Sequence, residues 1–256
     1  MIVRLFAASL LLVLSACTVN EFPDERKGDV VAGARDRVAI AAEYLQSGEN
    51  DRAMQHLKKA VSMDPKSAEA HSLMAILLER EGDPRGADKH YRRAIALKPG
   101  FSQAHNNYGV FLFKRGEFRD AATNFEKASA DLGYPLRASA FEGLGRSYMK
   151  LGDTDKAEAA FLRALRIDAS LPQVNLEMAD IAFEKKNLVA ARGYYQRFLK
   201  LTEKQPQSAR SLWLGIRIER RLGDRNALAS YELALKRLYP DSPEYKAYVA
   251  SLEAGH

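Results

Sequence analysis

The sequence predicts an all-α protein: a superhelical solenoid of about six helix hairpins, closed by a C-terminal capping helix. Three observations lead there. Small residues recur at fixed offsets along most of the 256 residues. The larger apolar residues between them fall on single stripes of helices with a 3.6-residue period. The composition is that of a folded chain, 46% hydrophobic and 28% charged. An array of hairpins, each burying its apolar face against its neighbours, accounts for the length better than two globular domains.

The clearest copy of the unit spans residues 138–171. Counting its positions from 1 to 34, Phe141 stands at 4, Leu144 at 7, Gly145 at 8, Tyr148 at 11, Gly152 at 15, Ala157 at 20, Phe161 at 24 and Ala164 at 27. Positions 4, 7, 8 and 11 make one stripe of a first helix. Positions 20, 24 and 27 make one stripe of a second, and position 15 is the turn. Gly145, Ala157 and Ala164 are small because paired helix axes lie only about 8–10 Å apart. This is the pattern of the tetratricopeptide repeat.

The same ruler finds five more copies. Copy one (residues 34–67) has Ala41, Tyr44, Gly48, Ala53, Leu57, Ala60 and Pro65. Copy two (68–101) has Ala75, Gly82, Ala87, Tyr91, Ala94 and Pro99. Copy three (102–135) has Gly109, Gly116, Ala121, Phe125 and Ala128. Copy four starts two residues late, after Gly133-Tyr134-Pro135, where an altered pitch is expected. Copy five, from about residue 172, keeps Ala179, Ala191 and Tyr195 but carries Phe198 where a small residue is usual. Copy six, from about 208, has Gly215, Ala227, Tyr231 and Ala234. Pro206 must end or interrupt the second helix of copy five. The six repeats thus occupy residues 34–241. Residues 242–256, with Tyr245, Tyr248 and Leu252, read as a short helix capping the last hydrophobic face.

Ahead of the array, residues 1–16 read as a signal peptide: a basic Arg4, an apolar stretch over residues 5–14, then small residues. The apolar stretch is too short to span a bilayer. Leu14-Ser15-Ala16-Cys17 resembles the lipobox of bacterial lipoproteins, and Cys17 is the only cysteine in the chain. That resemblance implies acylation of Cys17 and anchoring by more than one acyl chain, which suffices where a single chain is marginal. Thr18, in place of the Asp associated with inner-membrane retention, implies outer-membrane sorting. The alternative is an ordinary secretory signal cleaved near Ala16, leaving a free thiol. Residues 17–33 then form the lipidated cysteine and a tether, with Pro23, Gly28, Gly33 and no sustained apolar period.

No chemistry is legible. One cysteine excludes an intrachain disulfide framework and a cysteine-based metal cluster. There is no phosphate loop, no HExxH and no nucleophile elbow. His71 and His105 both stand at position 4, one repeat apart, too far from each other to share a metal; they read as packing residues. No catalytic residue, metal site or cofactor is expected. The net charge of +6 is scattered among acidic residues, a solvated surface rather than a nucleic-acid patch.

What such an array offers is a groove. In this repeat family positions 2, 5, 9 and 12 of the first helices line the concave face. Copies one to three supply Arg35, Val38, Ala42, Leu45; Glu69, Ser72, Ile76, Glu79; and Gln103, Asn106, Val110, Phe113. Copies four to six supply Ser139, Glu142, Arg146, Met149; Gln173, Leu176, Asp180, Phe183; and Ala209, Leu212, Ile216, Glu219. Apolar residues at solvent-facing positions mark a partner site, although the curvature of the array can also cover them. The expected partner-binding residues are Val38, Leu45, Ile76, Asn106, Val110 and Phe113, suited to an apolar or amphipathic segment of another protein.

The stretches HNNYGVFLFKRGEFRDAATNFEKA (105–128), LEMADIAFEKKNLVAARGYYQRFL (176–199) and ARSLWLGIRIERRLGDRNALASYELALKRLYPDSPEY (209–245) resemble the type IV pilus biogenesis lipoproteins of the PilF/PilW family. The likeness covers nearly the whole chain, including the lipobox-like end of the signal and the count of six repeats. It implies a pilotin: a lipoprotein anchored on the periplasmic face of the outer membrane that binds the pilus secretin and promotes its localisation and multimerisation. Catalysis is not implied, and the chain is expected to be monomeric on its own. A repeat adaptor lipoprotein for another envelope assembly would share every feature except these stretches.

Overall fold

A computed structural model describes residues 25–253 of the chain. The expected signal peptide, Cys17 and the expected tether as far as residue 24 lie outside the described residues. Thirteen α-helices make up the fold among the described residues, twelve of them paired in hairpins. The chain divides into two compact units, residues 1–65 and 66–256, at the junction of the first and second copies of the repeat.

The first unit holds one hairpin, α1 (Glu25–Ser47) and α2 (Asn50–Met63). Ala34, Ala41, Ala53, Leu57 and Ala60 are buried. Helix α1 starts nine residues ahead of the expected repeat, so residues 25–33, read from the sequence as tether, are helical. The apolar period that would have shown this is missing because Val30 and Val31 are exposed. Gly33 brings α1 close to the end of α2: a Cβ there would lie 2.9 Å from the Met63 methyl carbon.

The second unit contains five hairpins and the cap. In order these are α3 (Ala68–Arg80) with α4 (Pro84–Leu97), α5 (Ser102–Lys114) with α6 (Phe118–Ala130), α7 (Arg137–Lys150) with α8 (Thr154–Ile167), α9 (Pro172–Glu184) with α10 (Leu188–Leu201), α11 (Ala209–Leu222) with α12 (Arg225–Leu238), and α13 (Pro243–Glu253). Helix starts are set by side chains that accept a backbone N–H of the first turn: Ser67 for α3, Asp83 for α4, Asp153 for α8, Asn187 for α10, Ser208 for α11 and Asp224 for α12. Helix α10 stops at Leu201, and Pro206 falls in the loop before Ser208.

The small positions do the steric work expected of them. A Cβ on Gly145 would stand 2.5 Å from the Phe161 ring, and one on Gly109 would stand 2.9 Å from Phe125. The turn position is equally specific. Gly48, Gly82, Gly116 and Gly152 all take φ between +77° and +79°, the left-handed conformation that ends a helix and suits glycine. In copy five this position is Lys186, held at φ 60°, and in copy six the role passes one residue on to Gly223.

Two junctions depart from regularity. Between copies three and four, α6 and α7 pack along their lengths as the two helices of one hairpin do, whereas α4 and α5, or α8 and α9, meet far less extensively. The bulge residue Tyr134 is buried with Ala128 and Ala140, and Arg137 donates from Nε to the Ser129 carbonyl at 2.8 Å. At the C-terminus α13 packs on α11, with Tyr248 edge-on to Trp213 at 6.3 Å. Tyr245 and Tyr248 cover the apolar face as expected, but Leu252 stays exposed and lies outside that cluster.

Gly145→Leu is expected to lower the melting temperature, since overpacking a close contact costs about 1–3 kcal/mol, with the damage confined to neighbouring hairpins in hydrogen exchange. An unchanged melting temperature would contradict the register used here. Lys186→Gly should do the opposite. A non-glycine residue in the left-handed region costs roughly 1–2 kcal/mol, and relief of about 1 kcal/mol raises the midpoint by about 2–4 °C in a chain of this size. A lowered midpoint in calorimetry would refute the assignment.

Candidate functional site

Three of the six expected partner-binding residues, Asn106, Val110 and Phe113, meet at one cavity of ≈540 Å³ in the second unit. Helix α5 contributes Asn106, Val110, Phe113 and Lys114, helix α6 contributes Phe118 and Phe125, and helix α7 contributes Ser139, Glu142, Gly143, Arg146 and Lys150. This is the place where α7 lies flat against α6. Gly143 permits it: a Cβ there would fall 2.5 Å from the Phe125 ring.

The lining is mostly apolar. Phe113 and Phe118 meet edge to face at 5.2 Å, and the Arg146 guanidinium lies over the Phe113 ring, 4.9 Å from its centroid. Val110 is 40% exposed. Asn106 is 8% exposed, and its Oδ1 has no hydrogen-bond partner, a vacancy that native interiors seldom tolerate. Burial pushes the Glu142 carboxyl above its usual range, against the opposing pull of Arg146.

Two smaller cavities, ≈230 and ≈430 Å³, adjoin it and share Arg146 with it. Beyond Arg146, the charged groups they share, Glu177 and Arg210, are already paired. Arg210 grips Glu177 through two hydrogen bonds of 2.6 and 2.7 Å and reaches Asp180 at 3.1 Å. Arg217 continues the ladder to Asp180 and Glu184 while lying 4.3 Å over the Phe183 ring.

The other expected residues are dispersed. Val38 and Leu45 belong to the first unit; Val38 is half-buried, and Leu45, expected to face solvent, is buried at 5% exposure. Ile76 on α3 is half-buried against the core of the second unit and lies outside the cavity lining. Phe113 is likewise half-buried, where full exposure was expected. Half of the stripe closes in copies five and six, although Gln173 stays exposed and Asp180, Phe183 and Ala209 are half-buried. Leu176, Leu212, Ile216 and Glu219 are all buried. Leu212 and Ile216 lie in the cluster that α13 covers, and Glu219 is held by Arg192 of α10.

Sequence reasoning missed Phe118, Phe125, Lys114, Lys150 and Gly143. Phe125 stands at a packing position of copy three, and Phe118 falls outside the repeat pattern. The signal that pointed here was the displaced start of copy four together with a second glycine two residues before Gly145.

Both position-4 histidines are buried and bonded. His105 contacts Asn124 Oδ1 at 2.8 Å and the Pro99 carbonyl at 2.9 Å, and His71 meets His90 nitrogen to nitrogen at 2.9 Å. Among the described residues no group of three His, Cys, Asp or Glu side chains is arranged to hold a metal ion.

Comparisons with known proteins agree with this architecture. Tetratricopeptide-repeat family models match residues 44–106 and 112–172. The type IV pilus assembly protein PilF of Pseudomonas aeruginosa is 38% identical over 253 residues, 98% of this chain and 99% of that one. The solved structure of P. aeruginosa PilF superposes with a TM-score of 0.79 at 36% identity, covering 88% of this chain and 99% of that chain. That of PilW, a widely conserved type IV pilus biogenesis factor, gives 0.68 at 27% identity, covering 84% and 98%. With its repeats and its full-length relation to a pilus assembly protein, the chain belongs to the PilF family of tetratricopeptide-repeat type IV pilus assembly proteins, which are not enzymes.

Proposed function

We propose that the protein is a pilotin: a lipoprotein held on the periplasmic face of the outer membrane through Cys17, monomeric on its own, that binds the type IV pilus secretin and promotes its localisation and multimerisation. The observation that carries this reading is the full-length identity to a type IV pilus assembly protein in a chain whose groove retains an open apolar cavity. Three features support the anchor. Cys17 is the only cysteine, it ends a lipobox-like tetrapeptide, and no helix among the described residues is long and apolar enough to cross a membrane. The secretin is the partner that the sequence resemblance implies. Its binding residues would be Asn106, Val110 and Phe113 at the cavity, with Val38, Leu45 and Ile76 contributing only where they are accessible.

Cys17→Ser should shift the protein from the outer-membrane fraction to the soluble periplasm, because acyl chains supply the anchoring energy. Retention of the substituted protein at wild-type level in a strain lacking the secretin would rule the anchor out.

Val110→Glu tests the groove without disturbing the core, since Val110 is exposed on α5. It replaces roughly 1–2 kcal/mol of apolar burial in a complex with a carboxylate that the partner must desolvate. The expected outcome is a protein of normal helicity and location whose cells contain secretin monomers in place of heat-stable multimers on a denaturing gel. Normal multimers would exclude this part of the groove from secretin assembly.

A further inference from the structure

Three features of the cavity between α5, α6 and α7 bear on what occupies it: its size, an unpartnered buried amide and unpaired charge at its edge. At ≈540 Å³ it falls within the roughly 300–1,000 Å³ of sites that enclose a ligand. Its apolar walls are Val110 and the rings of Phe113, Phe118 and Phe125. The buried Asn106 amide, with Oδ1 unpartnered, supplies an acceptor for a main-chain N–H brought in beside an apolar side chain.

The charges decide the partner's sign. Arg210 and Arg217, further along the same stripe, are consumed by Glu177, Asp180 and Glu184. Lys114 at the near edge is paired with Glu79 at 2.7 Å. Arg146 and Lys150, one turn apart on the exposed side of α7, form no ion pair with any described residue. The one carboxyl in the cavity wall, Glu142, is half-buried and does not bridge to Arg146. Within the second unit, positive charge is therefore left over beside the apolar cavity, where the acid in the same wall, Glu142, is half-buried and pushed toward its neutral form.

Building on the pilotin reading of this groove, we infer that the cavity receives one bulky apolar side chain, aromatic or leucine, from an acidic segment of the partner protein. Asp or Glu residues flanking that anchor meet Arg146 and Lys150, and Asn106 bonds the backbone next to it. The apolar anchor supplies affinity. The flanking acids set orientation and speed association, and their contribution falls as salt rises.

The test uses the full chain, purified in mild detergent, and short fluorescein-labelled peptides whose centre is Phe, Leu or Ala and whose flanks are Glu, Ser or Lys. Anisotropy should show the Glu-flanked Phe and Leu peptides binding at least about tenfold more tightly than the Ala-centred or Lys-flanked ones, about 1.4 kcal/mol. Ser139→Trp, which fills the cavity from an exposed position on α7, should weaken them by at least that factor with helicity and melting unchanged. Arg146→Gln with Lys150→Gln keeps the aromatic walls while removing the charge and should bring Glu-flanked peptides down to the level of Ser-flanked ones and abolish their salt dependence. Equal binding of Lys-flanked peptides, or undiminished binding by both variants, overturns the inference. So does a self-association in sedimentation that Ser139→Trp abolishes, which would make a second copy of the chain the occupant. Competition with the secretin separates the two readings. Peptides that bind as described without displacing secretin uphold the cavity and refute the groove as the secretin site; secretin capture with no acidic–apolar peptide preference does the reverse.

Discussion

Four of the five hairpins of the second unit depend on a ring laid against a helix that has little or no side chain at that point. Tyr91, Phe125, Phe161 and Tyr195 occupy the same position of successive copies, and none is more than 2% exposed. Burying one such ring contributes roughly 1.5–3 kcal/mol, but only while the facing helix stays close. Gly109 and Gly145 keep it close, since a Cβ on either would collide with the ring opposite. Where the ring is tyrosine the buried hydroxyl also has a partner: Tyr195 donates to the Ser211 carbonyl at 3.0 Å and Tyr91 to Glu79 at 3.3 Å. Desolvation accordingly raises the pKa of both phenols. The repeat is thus conserved within the chain as a contact, with ring and partner varying together.

The candidate site arises where that regularity lapses. A two-residue displacement before copy four sets α7 flat on α6, and Gly143 adds a second close approach to Phe125, which already faces Gly109. One ring thereby serves two helices. The space beside it is not filled by the next repeat, because its side-chain complement was spent on the α6–α7 contact, and it remains open between Val110, Phe113 and Arg146. An irregular junction in a repeat array is the natural place for such a cavity, since regular stacking fills every equivalent position alike.

Electrostatics separates this region from the rest of the stripe. Towards the C-terminus, Arg192, Arg210 and Arg217 each find carboxylates on neighbouring helices, and Glu219 is buried against Arg192. Exposed pairs of this kind add about 0–1 kcal/mol each, whereas stranding a buried charge such as Glu219 would cost about 3–5 kcal/mol. These networks tie hairpin to hairpin and leave little for a partner to bind. The cap α13 completes the closure by covering Leu212 and Ile216. Within the second unit, accessible apolar surface and unpaired positive charge are both left at α5–α7.

Much was legible in the chain alone, because the repeat is a local steric rule: small residues twelve apart, an aromatic four further on and a glycine at the turn are each required by contacts within a hairpin. Hairpin count, helix class, the turn glycines and the capping tail follow from that rule. The start of α1 did not, since Val30 and Val31 face solvent and Gly33 is explained only by Met63 of α2. Nor did the fate of the groove positions. One stripe of equivalent residues becomes buried core at Leu212 and Ile216, half-buried wall at Ile76 and open cavity at Val110. Sequence position assigns a residue to a face of its own helix; what lies against that face, a cap, an ion-pair ladder or nothing, depends on how neighbouring hairpins stack, and that is settled by contacts between residues far apart in the chain.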